Sequence, residues 1–541
     1  MPTNWIKSVF KSEPRYSRDT ALLRQQANDQ PIHISLPHTL SLLNSKLGHS
    51  PDFVIRDFTE HPADPSLLAV CYIEGLVEQS LLADLIEAIV IEIAPLCSRI
   101  MDSDTQAAAA VLKRTLPLGN IRVIYSEGQL IQAILAGNAV IVLEGTPSAL
   151  AVGIAGGQRR GVEEPTSQTV IRGPKEGFNE EISTNLTLLR RKLRTPELKF
   201  ESHIIGQYTQ TKVVLAYIEG LANREVINEI NMRLQSIDTD SILESGYIEE
   251  FIQDAAFSPF PTILNTERPD TAAGCLLEGQ IAIFIDGTPF VLIAPVTFFN
   301  FLQSSEDYYQ RYDISSFLRA IRLLSFMVAL LLPSLFIAIT TFQQEMLPTT
   351  LLISLAAQRE GTPFPALLEA LIMELIFEVI REAGVRMPRV IGPAISIVGA
   401  LVIGQAAVQA GLVSAAMVIV VSFTAISNFV IPSFNMASTV RLLRFFLMLL
   451  AGTLGLFGIL VGTIPILFHV VSLKSFGVPY FTPYAPFTKS ALKDTILRVP
   501  WWSMKTRPKE KTGSNINRQA PHQYPVDSAD KRSPNNQANR K

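Results

Sequence analysis

The hydrophobic pattern changes character near residue 316. Before it, apolar runs of roughly four to eight residues alternate with polar turns, a pattern that predicts strands and short amphipathic helices. After it, long apolar runs with few charges follow one another, as in helices that cross a bilayer. These runs are 323–342, 364–379, 390–408, 412–431 and 445–473. We predict an α/β domain followed by an all-α transmembrane domain of five or six segments.

Two motifs recur in the first half in the same order. Tyr-Ile-Glu-Gly-Leu begins at Tyr72 and again at Tyr217, a spacing of 217 − 72 = 145 residues. A turn with an acidic residue followed by Gly-Thr-Pro begins at Glu144 and again at Asp286, a spacing of 286 − 144 = 142 residues. Two matches at nearly one offset predict two repeated subdomains. Each repeat is predicted to contain a strand, a helix, a short helix and a closing hairpin, with the acidic residues in turns rather than in catalysis.

These patterns also set the domain limits. We predict a polar N-terminal extension over 1–35, a first α/β subdomain over 36–165, a linker with a connector helix over 166–200, a second α/β subdomain over 201–310, a transmembrane domain over 311–488 and a basic, disordered tail over 489–541. The connector includes the basic stretch 188–194. Because no aromatic residues accompany it, we interpret it as a solvated helix rather than a nucleic-acid site.

Charge follows the same division. Residues 1–316 contain 25 Lys and Arg against 39 Asp and Glu, a net charge of −14, and residues 317–541 contain 21 against 10, a net charge of +11. Six crossings from an amino terminus inside the cell place nearly every basic cluster on the inner side, whereas five leave the basic tail outside. The sixth crossing requires the long run 445–473 to break, and Gly462–Pro465 is the predicted break. Five crossings with a re-entrant segment are the alternative.

The sequence carries no enzyme signature. It has no phosphate-binding glycine loop, no His/Cys metal spacing and no nucleophile elbow. Its three cysteines, Cys71, Cys97 and Cys275, are scattered without a pairing pattern. We therefore expect no catalytic residues, no metal and no cofactor.

Charged residues interrupt the second apolar run. At 100° per residue, Glu374, Glu378 and Arg381 lie on one arc of a helix. Because a carboxylate in hydrocarbon is costly, this arc should face protein, water or a partner. One interpretation is a cation-attracting vestibule or a subunit contact, and the other is an interfacial helix with a Glu378–Arg381 pair. The sequence does not separate them.

The third run has two distinct faces. One is a stripe of small residues that favours close helix packing: Gly392, Ser396 and Gly399. The other could line the axis of an oligomer, with Val398 or Val402 as an apolar constriction and the two glutamines as a wetter mouth; its members are Ile391, Ile395, Val398, Val402, Gln405 and Gln409. From spacing alone, plain packing within a bundle is favoured over a pore.

Three stretches resemble one family. Residues 170–194 (VIRGPKEGFNEEISTNLTLLRRKLR), 361–408 (beginning GTPFPALLEALIMELIF) and 476–487 (FGVPYFTPYAPF) strongly resemble the A subunits of the GerA-type spore germination receptors of endospore-forming bacteria. The resemblance covers about residues 40–500. The N-terminal extension and the end of the tail fall outside it.

This resemblance implies a function. A subunits of this kind lie in the inner membrane of the spore with their N-terminal domain and tail facing the core. They act with a transporter-like B subunit that binds the nutrient and a lipoprotein C subunit, without nucleic acid. The A subunit is expected to oligomerise and to form a nutrient-gated cation channel. A non-conducting scaffold is the alternative, and a secondary transporter is a weaker one because the membrane half shows no paired broken helices.

Overall fold

The computed structural model describes residues 30–48, 50–58, 68–93, 120–156, 164–165, 168–386, 404–488, 491–513 and 515–520. They form two compact units. The α/β unit comprises the described residues of 1–253, 265–295 and 500–541, and the helical unit comprises those of 254–264 and 296–499. The helical unit is therefore inserted into the chain of the α/β unit rather than appended to it.

The α/β unit contains two five-stranded sheets. The first has the order β1-β2-β4-β5-β3 and consists of β1 (Phe53–Phe58), β2 (Leu68–Ile73), β3 (Ile121–Ile124), β4 (Ala139–Leu143) and β5 (Ala149–Val152). The second has the order β6-β7-β9-β10-β8 and consists of β6 (Leu198–Ile205), β7 (Thr211–Ile218), β8 (Leu264–Thr266), β9 (Ile281–Ile285) and β10 (Val291–Ala294). The identical order is the internal symmetry that the repeated motifs predict.

Helices pack on both sheets. The first repeat has α1 (Leu36–Leu47), α2 (Gln79–Ala88) and α3 (Glu127–Leu135), and the second has α4 (Ile182–Lys192), α5 (Arg224–Gln235), α6 (Ser245–Ile252) and α7 (Pro269–Leu277). Strands β2, β4 and β5 are buried on both faces, between one apolar cluster that includes α2 and another that includes α1 and α3. Each repeat thus begins with a helix, which the predicted order of elements lacked.

The acidic turn residues cap these first helices. Glu144 Oε2 accepts a hydrogen bond from the backbone N–H of Leu36 at 2.5 Å, and Asp286 Oδ1 accepts one from Ile182 at 3.1 Å. Both bonds satisfy N–H groups in the first turn of a helix, where the helix dipole favours a negative charge. The repeated turn therefore fixes the opening helix of its own repeat, a role beyond the turn position that the sequence indicated.

Helix α4 is buried, and the expectation of a solvated connector was wrong. Arg190 is 1% exposed and bonds both carboxylate oxygens of Asp52, at 2.8 and 3.1 Å. It also donates to Leu198 O at 3.0 Å and lies 4.5 Å from the ring centre of Phe200. Since Asp52 belongs to the first repeat and Phe200 to the second, this arginine joins the two subdomains. Local sequence cannot show a partner that is 138 residues away.

The helical unit contains five labelled helices: α8 (Tyr312–Thr341), α9 (Thr349–Arg359), α10 (Ala366–Arg386), α11 (Ala415–Phe429) and α12 (Phe434–Ser472). Its core lies where α8, α10, α11 and α12 meet and includes Ile337, Met373, Met417 and Met448. A short helical segment, 404–409, precedes α11.

Helix α12 reverses direction at Gly455. This residue has φ 62° and ψ −142°, a conformation that favours glycine. A side chain on Gly458 would meet Leu450 O, and one on Gly462 would meet Leu447, so the two arms pack against each other as a hairpin. The run therefore breaks as predicted, but at Gly455 rather than at Gly462–Pro465. Pro465 is accommodated inside the second arm.

The tail differs from expectation in its described part. Residues 500–513 and 515–520 belong to the α/β unit and make defined contacts there. A strand-like bridge pairs Thr506 with Asn517. Polar composition suggested disorder, but backbone hydrogen bonds do not require apolar side chains.

Replacing Arg190 by Ala should loosen the junction of the subdomains, because Asp52 would keep a largely buried charge without its partner. Losing one member of a buried pair typically costs about 3–5 kcal/mol. Hydrogen exchange of the full chain in detergent should then accelerate in β1 and β6.

Lys175→Ala is the control, since its pair with Glu164 is 63% and 61% exposed and such pairs contribute less than about 1 kcal/mol. Equal protection of β1 and β6 in the Arg190 variant and the control would contradict the assignment.

Candidate functional site: a charge cluster inside the helical unit

Five charged side chains gather between α10 and α12. We define the charge cluster as Glu374, Glu378 and Arg381 of α10 with Arg441 and Arg444 of α12. The α10 residues share one face because they are spaced by four and three positions. The α12 arginines are one turn apart and face them. The sequence thus supplies complementary charge from two helices that are distant in the chain.

The innermost contact is a fully buried ion pair. Arg444 Nη2 lies 2.7 Å from Glu374 Oε2, and both side chains are 1% exposed. The same guanidinium approaches Glu378 at 3.5 Å. Neither charge could remain in an apolar interior without the other, because desolvating an unpaired ion costs far more than packing returns.

Glu378 is the hub of the outer part. It accepts from Arg381 at 2.6 Å and from Arg441 at 2.9 Å, and it is 20% exposed. The Glu378–Arg381 pair is the one that the sequence suggested for an interfacial helix. Here, however, it faces α12, so the arc contacts protein. With three arginines and two glutamates, the cluster carries a net charge of 3 − 2 = +1.

The cluster lies within its helices rather than at their ends. Glu374 is the ninth residue of α10, and Arg444 lies ten residues, about 15 Å, into α12. The basic residues that six crossings would place on the inner side include Arg441 and Arg444. The structure shows that both lie inside α12, which begins at Phe434, where they pair with α10.

Two further buried carboxylates make contacts that the sequence does not predict. Glu369, 0% exposed, accepts from the backbone N and the hydroxyl of Ser414 at 2.5 and 2.6 Å and so anchors the start of α11. Asp307, also buried, bonds Arg319 at 2.9 Å and Arg322 at 2.7 Å.

Arg319 also reaches Asp494 at 2.8 Å, beyond the last helix. From the sequence alone, Arg319 and Arg322 are only positive charges that precede the first apolar run. One feature of the sequence does point to this contact. Asp494 is the first acidic residue after Glu382, so it is an isolated negative charge in a basic, apolar region.

Most pore candidates lie outside the described residues. This applies to Ile391, Ile395, Val398 and Val402, and to the packing candidates Gly392, Ser396 and Gly399. The other two, Gln405 and Gln409, are described, and both are exposed. Ala407 and Val408 of the same segment pack against the core, so the glutamines lie on its outer side.

By length and composition, two helices of the described part could cross a membrane, Tyr312–Thr341 and Phe434–Ser472, and Ala415–Phe429 is a shorter apolar helix. Together with the duplicated α/β unit, they define a class: a protein with a two-repeat α/β unit and an apolar helical unit held by internal ion pairs.

The family follows from comparison. Residues 41–510 match the family described as the Bacillus/Clostridium GerA spore germination protein, and the chain belongs to it. It is 46% identical over 507 residues to spore germination protein KA of Bacillus subtilis (strain 168), covering 93% of this chain and 92% of that protein. It is 44% identical over 379 residues to spore germination protein GerLA of Bacillus cereus, covering 70% and 77%.

One solved structure is similar to part of the chain. It is the N-terminal domain of the A subunit of the Bacillus megaterium spore germinant receptor GerK3. The identity is 39% with a TM-score of 0.39, and the match covers 50% of this chain and 98% of that one.

Replacing Arg444 by Leu should sharply lower the yield and thermal stability of the detergent-solubilised chain, because Glu374 would be left buried without a partner. The expected loss is about 3–5 kcal/mol. The double variant Arg444→Leu/Glu374→Leu should recover much of it, as measured by fluorescence-detected size exclusion after heating.

Arg386→Ala provides the matched control on the same helix, since its pair with Glu382 is 79% and 62% exposed. If the double variant were no better than Arg444→Leu alone, the pair would not be the source of the stability.

Proposed function

We propose that this chain is the A subunit of a nutrient germinant receptor in the spore inner membrane. It assembles with a transporter-like B subunit and a lipoprotein C subunit, oligomerises, and forms a nutrient-gated cation channel. Family membership and the named relatives support the receptor role. The channel role needs support from the helical unit itself.

The observation that carries the channel proposal is the position of Gln405 and Gln409. Two amide side chains one turn apart are exposed on a unit that also exposes many large apolar side chains. Amides facing lipid would lack hydrogen-bond partners, which is costly in hydrocarbon. Water or another subunit therefore covers them, and a water-filled path lined by several copies provides both.

If the helix predicted from the sequence continues through 398–409, Val398 and Val402 would share this face with the glutamines. An apolar ring at either valine would close the path by dewetting, and the glutamines would form its wetter mouth. In the same predicted helix, the small stripe of Gly392, Ser396 and Gly399 would lie on a different face and serve helix contacts. The charge cluster has a separate role in this proposal, because its described contacts hold α10 against α12.

Six crossings fit the helical unit. Helix α10 begins near Ser414, which bonds Glu369, and its middle contacts Arg441 through Glu378. The described chain resumes at 404–409 and leads to Gly411, which lies near Gly361, just before α10. We propose one further crossing between α10 and 404–409, from the third apolar run of the sequence. Adding α8, α10, α11 and the two arms of α12 gives six. The contact of Asp494 with Arg319 returns the chain to the first helix, as an even number requires.

Ion flux tests the channel. In vesicles holding the chain with its B and C subunits, Val402→Ala should leak potassium without germinant, and Val402→Phe should block efflux with it. Gln405→Leu with Gln409→Leu should reduce conductance, because a dry mouth raises the barrier for a hydrated cation.

Ile419→Ala, at a 69% exposed position on α11, is the control and should behave as wild type. If flux is unchanged across all these variants at equal complex abundance, the chain is the non-conducting scaffold that assembles the receptor and couples it to downstream germination machinery.

A further inference from the structure

The two repeats differ where their last strand ends. In the first repeat, the chain continues from β5 and returns to the turn that follows β2, whose backbone groups form what we call the edge of the repeat. There Gly156 N donates to Leu76 O at 3.0 Å, and Ala155 forms an isolated bridge with Val77. The first repeat therefore closes this edge with its own next residues.

In the second repeat, the chain leaves for the helical unit after Pro295. The same edge is closed by residues from the far end of the protein. Gly513 N donates to Leu221 O at 2.6 Å, and Thr512 forms the bridge with Ala222. Leu221 and Ala222 are the counterparts of Leu76 and Val77, since 221 − 76 = 222 − 77 = 145. The tail thus takes the place of a missing local segment.

Matched glycines lie beside both edges. Gly137 has φ +86° and Gly279 has φ +90°, at a spacing of 279 − 137 = 142 residues. A side chain on Gly137 would lie 2.8 Å from Leu76 O, and one on Gly279 would lie 2.8 Å from Leu221 O and 2.9 Å from Lys511 O. Both repeats keep this site open for a backbone to approach closely.

The described residues of the tail pair as a hairpin, and Thr512 and Gly513 lie at this edge. Arg507 N bonds Ile516 O at 2.8 Å across the hairpin. Thr512 Oγ1 donates to Glu278 O at 2.9 Å, and Arg507 Nε donates to Leu277 O at 2.7 Å. Arg518 pairs with the Glu278 carboxylate. These donors meet the carbonyl end of α7, where a helix leaves acceptors unsatisfied and favours positive charge.

We propose that the edge formed by Leu221, Ala222, Leu277, Glu278 and Gly279 is a peptide-binding site whose ligand is the chain's own tail, through its described residues 505–513 and 515–518. Backbone hydrogen bonds and two guanidinium groups hold the segment. The second subdomain is then complete only after the helical unit has been synthesised. The tail that completes it is held by noncovalent contacts, because the helical unit lies between the two in the sequence. Binding at this site is independent of whether the helical unit conducts ions.

The test cuts the covalent link between the tail and the rest of the chain and measures whether the tail stays bound. A protease site is inserted after Pro500, an affinity tag precedes Met1 and an epitope follows Lys541. The full chain in detergent is immobilised and cleaved, and epitope loss is followed with time. The wild-type tail should remain. Gly513→Val should release it faster by about tenfold or more, because the new Cβ would lie 2.8 Å from Ala222 O and such a clash is costly.

Lys509→Ala changes an exposed residue of the same hairpin and should retain the tail like wild type. After a denaturing wash and return to buffer, a synthetic 501–520 peptide should rebind the cleaved chain, and the Gly513→Val peptide should not. Immediate loss of the wild-type tail on cleavage, or equal retention of the wild-type and Gly513→Val tails, would overturn the proposal.

Discussion

A charge removed from water must be paired, and this constraint organises both units. Three buried arginines each join elements that are far apart in sequence: Arg190 joins the two α/β repeats, Arg319 joins the first helix to the chain after the last, and Arg444 joins α10 to α12. An arginine can do this because its planar guanidinium presents several donors in a fixed geometry. Each pair also selects one arrangement, since any other leaves a buried ion alone.

The sequence predicts what is local. The repeated motifs indicate two subdomains, the apolar runs indicate the helices, and the spacing of Glu374, Glu378 and Arg381 indicates an arc that avoids lipid. Sequence does not reveal what meets that arc, because Arg444 lies 70 residues beyond Glu374 and reads as a flanking charge. The position of the break in α12 was missed for a related reason. Several glycines and Pro465 are plausible hinges, and only the packing of Leu447 and Leu450 on the returning arm decides for Gly455.

Helix α4 and the tail show why composition misleads. The stretch 188–194 is basic and the tail is polar, so both suggest solvated chain. Burial depends instead on whether partners exist, and here Asp52, Leu198 O and the carbonyl end of α7 provide them. Symmetry offers a better guide. Once the second repeat is seen to lose its own continuation at Pro295, some other segment has to close that edge.

The insertion of the helical unit into the second repeat also has a physical condition. The long inserted segment 296–499 must bring its own two ends together, as termini of independent domains often do. Within the helical unit this is met twice. Arg319 near the first connection bonds Asp494 near the second, and Arg498 N donates to the hydroxyl of Ser316 at 3.0 Å. The two ends of this segment are therefore held together, so the residues after Val499 can return to the second repeat, whose five strands all precede Val296.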